Sequence, residues 1–257
     1  MENTYEDFNK EFYKLTGINL EFYKERQMKR RIESFMNGRC GSDYVKFTAV
    51  LSSNREVLDE FIDYTTINVS EFFRNPEQWE CLEKEVIPKL KRNSKIRIWS
   101  AACSTGDEPY TLAMIFLKYF PKTEFSILAT DIDERAIEAA KKGIYPGKSI
   151  VNVPAEYRKY FTKTENNFYS VSPEIKKCVH FKKHNLFSDI YPVNINLLVC
   201  RNVLIYFTEE KKDEIFRQYY KSMARGGTLF LGNTEQIVNY KEIGFERKAS
   251  FFYEKKQ

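Results

Sequence analysis

Residues 98–109, Ile98-Trp99-Ser100-Ala101-Ala102-Cys103-Ser104-Thr105-Gly106-Asp107-Glu108-Pro109, decide the fold. An apolar run ends, small residues follow, and two acids with a proline lead into a helix expected over Tyr110–Tyr119. This is a strand, a tight loop and a helix start. Small side chains let a ligand approach the backbone closely, and the first helical turn leaves N–H groups without partners. Gly106 is the only glycine, so the loop is neither GxGxxG nor a P-loop. By itself it is as well read as a plain strand-to-helix turn.

Outward from this loop the chain alternates. Ile96–Ser100 and Phe125–Thr130 read as strands, with Asp131 at the end of the second and a helix over Glu134–Gly143. Leu197–Cys200 is another strand, and Glu209–Ala224 a helix. Arg225-Gly226-Gly227 reads as a turn into Thr228–Gly232, and Phe245–Lys248 and Ser250–Tyr253 form a closing pair. Strands alternating with helices predict an α/β fold with a parallel sheet covered on both faces. In such sheets a ligand lies at the carboxyl ends of the strands.

Upstream of Ile96 no strand pattern occurs. Thr4-Tyr5-Glu6-Asp7 opens a helix with Phe8, Phe12 and Leu15 in helical spacing and Gly17 as its stop. A second is expected from about Glu21 to Met36, ended by Asn37-Gly38, with Met28, Ile32 and Phe35 as its apolar stripe. Ser42-Asp43 starts a third, to about Leu51, and Arg55–Tyr64 is a fourth. The chain therefore divides into an all-helical part, 1–75, and an α/β part, 76–257. Short β pieces at Phe168–Val171 and Cys178–Lys182 predict a small antiparallel sheet inserted at about 158–182.

Composition narrows the function. Of the 257 residues 42% are apolar and 30% charged, the balance of a globular chain that needs no disulfide or metal staple. The 5 cysteines include no CxxC, which excludes the common zinc spacings and a disulfide framework and suits free thiols in a reducing cytosol. Two histidines, His180 and His184, leave little for Ser-His-Asp or metal catalysis. No apolar run approaches the ~20 residues of a membrane span, and MENTYEDFNK is too polar for a signal peptide. Residues 1–74 hold 11 Lys/Arg and 13 Asp/Glu; the remainder holds 30 and 23. That excess permits an acidic partner without demanding nucleic acid.

Three more segments carry candidate chemistry. Asp131, an acid at a strand end, suits the two hydroxyls of a ribose, whereas Asp133 reads as a helix cap. Cys200-Arg201-Asn202 puts polar residues at the end of a buried strand, with Tyr206 just beyond. Thr65–Arg74 places Asn68, Ser70 and Arg74 between the helices and the sheet. Singly, each is as well explained by capping or an exposed face; together they point to a nucleoside-type ligand.

These segments, read in order as TINVSEFFR, WSAACSTGDEPYTLA, ATDID, HNLF, CRNVLIYF and GGTLFLGNTE, resemble the CheR-type chemotaxis receptor methyltransferases over nearly the whole chain. The resemblance implies a Rossmann-like S-adenosylmethionine-dependent methyltransferase domain with a small antiparallel β insertion, preceded by an all-helical domain. It implies cofactor contacts by Asn68, Ser70 and Arg74, by Glu108 at the methionine end, by Asp131 at the ribose, and by Asn185, Leu186, Arg201 and Asn202. Arg74 and Tyr206 are the implied catalytic residues. Ser70 and Asp107 stand where the family often has Thr and Glu, both conservative changes. The implied reaction forms methyl esters on receptor glutamates and leaves S-adenosylhomocysteine, in the cytoplasm, by a monomeric enzyme.

The substrate side has its own candidate. Residues 24–31 hold five cations, Lys24, Arg26, Lys29, Arg30 and Arg31, and one anion. They suit an acidic, helical receptor region, although such a run is equally a solvated face. The β insertion is a candidate dock for a receptor-tail peptide by strand addition. Two rivals stay open: a methyltransferase for another substrate, and a non-catalytic cofactor-binding or receptor-docking module. RNA fits poorly, since the basic helix lacks interleaved aromatics and no RRM or KH signature is present.

Overall fold

Thr4 accepts a hydrogen bond from the Asp7 N–H, and Gly17, at φ 72°, ends the helix between them. This helix, α1 (Tyr5–Thr16), opens a computed structural model that describes residues 4–66 and 70–256. The chain forms two compact units, one of residues up to 68 with Ile205–Lys212, the other of the rest.

The first unit contains α1, α2 (Glu25–Cys40), α3 (Tyr44–Ser53) and α4 (Arg55–Thr66). Phe8, Phe12, Phe47 and Phe61 are fully enclosed, with Phe47 and Phe61 ring centres 5.0 Å apart. The second helix differs from expectation at both ends. Leu20–Phe22 forms a separate 3-10 turn, and α2 runs through Asn37-Gly38 to Cys40 before Gly41, at φ 65°, stops it. An internal glycine costs about 1 kcal/mol in a helix. Here Arg39 offsets it, stacking 3.8 Å over Phe35 and pairing with Glu60 at 2.9 Å. Residues 205–212 join this unit through the Lys24 N–H on the Tyr206 carbonyl (2.8 Å) and the Thr208 N–H on the Phe22 carbonyl (3.0 Å).

The second unit begins with α5 (Pro76–Cys81) and α6 (Ile87–Leu90), joined by a π turn at Leu82–Val86. Then follow β1 (Ile96–Ala101), α7 (Asp107–Tyr119), β2 (Phe125–Asp131) and α8 (Glu134–Lys142). Three short strands come next, β3 (Ile144–Pro146), β4 (Phe161–Lys163) and β5 (Phe168–Val171), then α9 (Pro173–Lys176) and β6 (Val179–Lys183). The chain closes with β7 (Ile195–Cys200), α10 (Glu209–Ser222), β8 (Met223–Leu231), α11 (Tyr240–Ile243), β9 (Phe245–Ala249) and β10 (Phe252–Lys255). The main sheet has the order β6-β2-β1-β7-β8-β10-β9. Its first five strands pair in parallel, and β10 alone runs the other way, antiparallel to both β8 and β9. One buried cluster gathers Ile98, Ile127 and Leu197 of the sheet with the wholly buried Leu112–Phe116 of α7, and Phe230 of β8 joins it against Trp79 of α5 at 5.4 Å.

The inserted antiparallel sheet has the order β3-β5-β4, so Ile144–Pro146 is one of its strands. The segment Cys178–Lys182 was expected there too. Instead β6 pairs in parallel with β2, Ile127 opposite Val179, at the edge of the main sheet. Lysines blunt such an edge, and Phe181 packs on Tyr110 of α7 at 5.6 Å, a long-range contact that a short β piece between turns does not reveal. Arg225-Gly226-Gly227 is not a turn but an irregularity inside β8, where the register against β7 jumps from Ile195–Met223 to Leu197–Thr228. The helix after β1 starts at Asp107 rather than Tyr110, with Pro109 in its first turn, where a missing N–H costs nothing.

Candidate active site

The chain leaves β1 toward β2 and β6 on one side, then crosses back to β7 on the other. The sheet therefore reverses direction between β1 and β7, the place where such folds open a crevice. Parallel pairing brings the carboxyl ends of β2, β1 and β7 side by side. Asp131, the 102–106 loop and Arg201-Asn202 share that edge.

The loop is held open by backbone shape. Ala102 (φ 64°), Ser104 (φ 47°) and Gly106 (φ 92°) all take left-handed conformations. A Cβ on Gly106 would lie 2.8 Å from that of Ala140, so only glycine fits. The Tyr145 hydroxyl donates to the Thr105 carbonyl at 2.6 Å, and the Cys103 N–H donates to the Thr130 carbonyl at 2.9 Å.

Three carboxylates surround it. Asp131 accepts the Ser104 N–H at 2.7 Å on Oδ2 and the Asp133 N–H at 3.0 Å on Oδ1, and the Ile132 N–H also bonds to it, which leaves part of its acceptor capacity unused. Burial pushes its carboxyl up to about 6, against those N–H bonds. Asp107 is 1% exposed; Thr105 donates to its Oδ2 at 2.6 Å, while Oδ1 has no well-formed hydrogen bond among the described residues. Burial raises it to about 6 as well, although the Thr105 and Ser70 hydroxyls bond to it. Glu108 accepts the Ser100 hydroxyl at 2.8 Å on Oε1 and faces Arg201 with Oε2. Burial also pushes Glu108 up, opposed by the Arg201 charge.

Arg201 is the strut of the site. Its side chain is 2% exposed, with the guanidinium carbon 4.8 Å from the Trp79 ring and 5.0 Å from that of Phe230. Nε donates to Gln78 Oε1 at 3.0 Å, Nη2 to the Arg74 carbonyl at 2.7 Å, and Nη1 lies 3.5 Å from Glu108 Oε2. Trp79 donates to the same Arg74 carbonyl at 3.0 Å, so the backbone of Arg74 is pinned twice. Burial lowers the Arg201 pKa and Glu108 opposes the fall.

The other expected site residues fall into two groups. Ser70, Arg74, Asn185, Leu186 and Asn202 lie in the second unit and are partly exposed. Asn185 makes a turn after β6, its Oδ1 accepting the Phe187 N–H at 2.9 Å, and the His184 N–H ties that turn to the Asp131 carbonyl at 2.8 Å. The Leu186 carbonyl accepts the Tyr191 hydroxyl at 2.7 Å. Tyr206 belongs to the first unit, and Asn68 lies outside the described residues. Sequence reading missed Gln78, Trp79 and Glu235. The last stands at the end of the GGTLFLGNTE segment but has no spacing signature, because its partners are backbone groups.

This donor set fits S-adenosylmethionine. The acceptor capacity left on Asp131 matches the hydrogen-bonding of a ribose diol, and carboxylates that desolvation has left short of positive charge match a cationic ligand. A buried oxygen on Asp107 suits the same polarity.

Comparison with known proteins agrees. Residues 68–250 match the CheR methyltransferase, SAM binding domain, and residues 3–66 match the CheR methyltransferase, all-alpha domain. A chemotaxis protein methyltransferase of Listeria monocytogenes is 39% identical over 255 residues, covering 98% of this chain and 97% of its own. One from Borreliella burgdorferi is 32% identical, covering 93% and 90%. Among solved structures, the glycopeptide N-methyltransferase MtfA complexed with S-adenosyl-L-methionine aligns at 9% identity over 63% of this chain and 50% of its own, with a TM-score of 0.39, too loose a likeness to argue from. Matched by both family domains and by full-length relatives, the chain belongs to the CheR methyltransferase family.

Proposed function

We propose that this protein is a cytoplasmic protein-glutamate O-methyltransferase that forms glutamyl methyl esters on chemoreceptors. The observation that carries the reading is the carboxylate-lined loop at the β1/β7 reversal, with Asp131 and Glu108 on either side of it. When bound, S-adenosylmethionine supplies a methyl group on a sulfonium centre.

The attacking atom is a receptor carboxylate oxygen. A free glutamate titrates at about 4.3, so it is ionised at neutral pH and asks no general base of the site. Transfer to that oxygen would form the O–C bond as the S–C bond broke with its electron pair left on sulfur, and no proton would have to move. What the chain supplies is in-line placement and exclusion of water. Asp131 holds the ribose hydroxyls and Glu108 the methionine end. Arg201 fixes Glu108, and the Arg74 fork holds a carboxylate. Tyr206 orients the attacking oxygen.

Docking falls to part of the basic helix. Arg31 lies 4.6 Å over the Tyr64 ring and Lys29 5.4 Å over Tyr5, so both serve the fold. Arg26 and Arg30 face solvent and are available to an acidic receptor helix. The outer strands β3 and β4 of the inserted sheet offer edges to a receptor-tail peptide.

The test is incubation with methyl-labelled S-adenosylmethionine and receptor membranes. Alkali-labile label on the receptor supports ester formation, and Arg74→Ala and Tyr206→Phe should each lower it. Alkali-stable label, or none, refutes the proposal.

A further inference from the structure

We infer that Glu235 is a positioning residue for the cofactor site, which fixes the Arg201-Asn202 turn through its backbone. The inference rests on the reading that this turn lines the site.

After β8 the chain runs Gly232-Asn233-Thr234-Glu235. The Glu235 side chain folds back and is 4% exposed. Its Oε2 accepts the N–H groups of Asn202 at 2.7 Å and Gly232 at 2.9 Å. Its Oε1 accepts those of Val203 at 3.0 Å and Leu204 at 2.8 Å. A carboxylate has about four acceptor positions, so all are filled by main chain. Asn202 sits at φ 63°, which lets successive N–H groups converge on one point. Such a concave arrangement ordinarily captures an outside anion; here the chain provides its own.

Two features show that the geometry is specific. A Cβ on Gly232 would stand 2.6 Å from Glu235 Oε2 and 3.0 Å from the Asn202 nitrogen, so the approach needs glycine. The same segment also reaches the guanidinium: Asn233 Oδ1 accepts from the Gln78 amide at 2.5 Å, and Gln78 Oε1 accepts from Arg201 Nε at 3.0 Å. One short segment thus holds the Asn202 backbone with one arm and the Arg201 side chain with the other. A buried charge stabilises a fold weakly for its cost; four convergent bonds impose a single shape on the turn.

Glu235→Gln tests this. Whichever way the amide turns, its NH2 confronts two N–H donors. We expect the Kd for S-adenosylhomocysteine, by calorimetry on the full chain, to rise about tenfold or more. The comparison is made where circular dichroism shows the variant folded. Asn233→Ala, at an exposed position, should raise the same Kd about threefold with an unchanged Tm. A lower Tm for Glu235→Gln with Kd values within about twofold of wild type in both variants overturns the inference and leaves Glu235 a fold residue. If Glu235→Gln does not fold, Asn233→Ala decides alone by the same measure. Failure of wild type to bind would remove the cofactor reading and this inference with it, a result distinct from a defect confined to the variants.

Discussion

Nη1 of Arg201 lies 3.5 Å from Oε2 of Glu108, tying the end of β7 to the first turn of α7 across the crevice. The Arg201 side chain is buried and that of Glu108 is 13% exposed, and the rest of the guanidinium is spent on Gln78 and the Arg74 carbonyl. Removing one partner strands the other. Arg201→Met fits between Trp79 and Phe230 but leaves Glu108 without its cation, and should cost about 3–5 kcal/mol in denaturant unfolding. A loss below about 1 kcal/mol would show that the pair is not structural.

Asp107 gives a prediction of opposite sign. Its carboxyl titrates at about 6 because burial disfavours the charge. The folded value lies above the ordinary 3.8, so the native state holds the extra proton between the two. Its stabilising contribution is present at low pH and is lost as pH rises through about 6. Asp107→Asn keeps an oxygen for Thr105 and puts no charge in the core. At neutral pH it should raise Tm by a few degrees and flatten the acid side of the stability profile. An unchanged profile would remove Asp107 as its source.

Asp131, also at about 6, makes ligand affinity run the other way. Its ionised form is the better acceptor for ribose hydroxyls, so affinity for S-adenosylhomocysteine should weaken as pH falls through about 6. Calorimetry at about pH 5 and about pH 7.5 reads this directly. Affinity equal at both values contradicts a role for the carboxylate.

Gly106 combines a φ of 92° with a Cβ position 2.8 Å from Ala140. Gly106→Ala should therefore lose about 2–4 kcal/mol, the sum of a left-handed backbone penalty and overpacking. Thermal unfolding checks it, and a Tm within about a degree of wild type would be evidence against the loop geometry.

Arg26 and Arg30 are exposed, so reversing both to Glu should leave stability within about 0.5 kcal/mol. The same double variant should raise the KM for receptor while leaving the Kd for S-adenosylhomocysteine alone. An unchanged KM moves docking elsewhere.

The helical start, the α/β alternation, and the placement of Asp131 and Arg201 at strand ends were legible because hydrophobic period and capping residues are local signals. The apolar run at Ile96–Ala101 is a strand by its own composition, and Thr4 and Gly17 bound a helix by their own chemistry. Longer-range pairing was not legible. Val179–Lys183 is a short strand with lysines, and nothing within it says whether its partner is β5 or β2. Only the docking of Phe181 on Tyr110 and the ladder to Ile127 decide it.

The site divides the same way. Residue types and their order along the chain determined which family this is and supplied the candidate acids and cations of the site. The tertiary structure alone decided that Arg201 is enclosed between Trp79 and Phe230. It alone placed Gln78 against that guanidinium and Glu235 against the main chain of Asn202. The reason is physical: a side chain that bonds to backbone N–H groups some thirty residues away, or to a guanidinium across the crevice, leaves no periodicity and no spacing for a sequence to display.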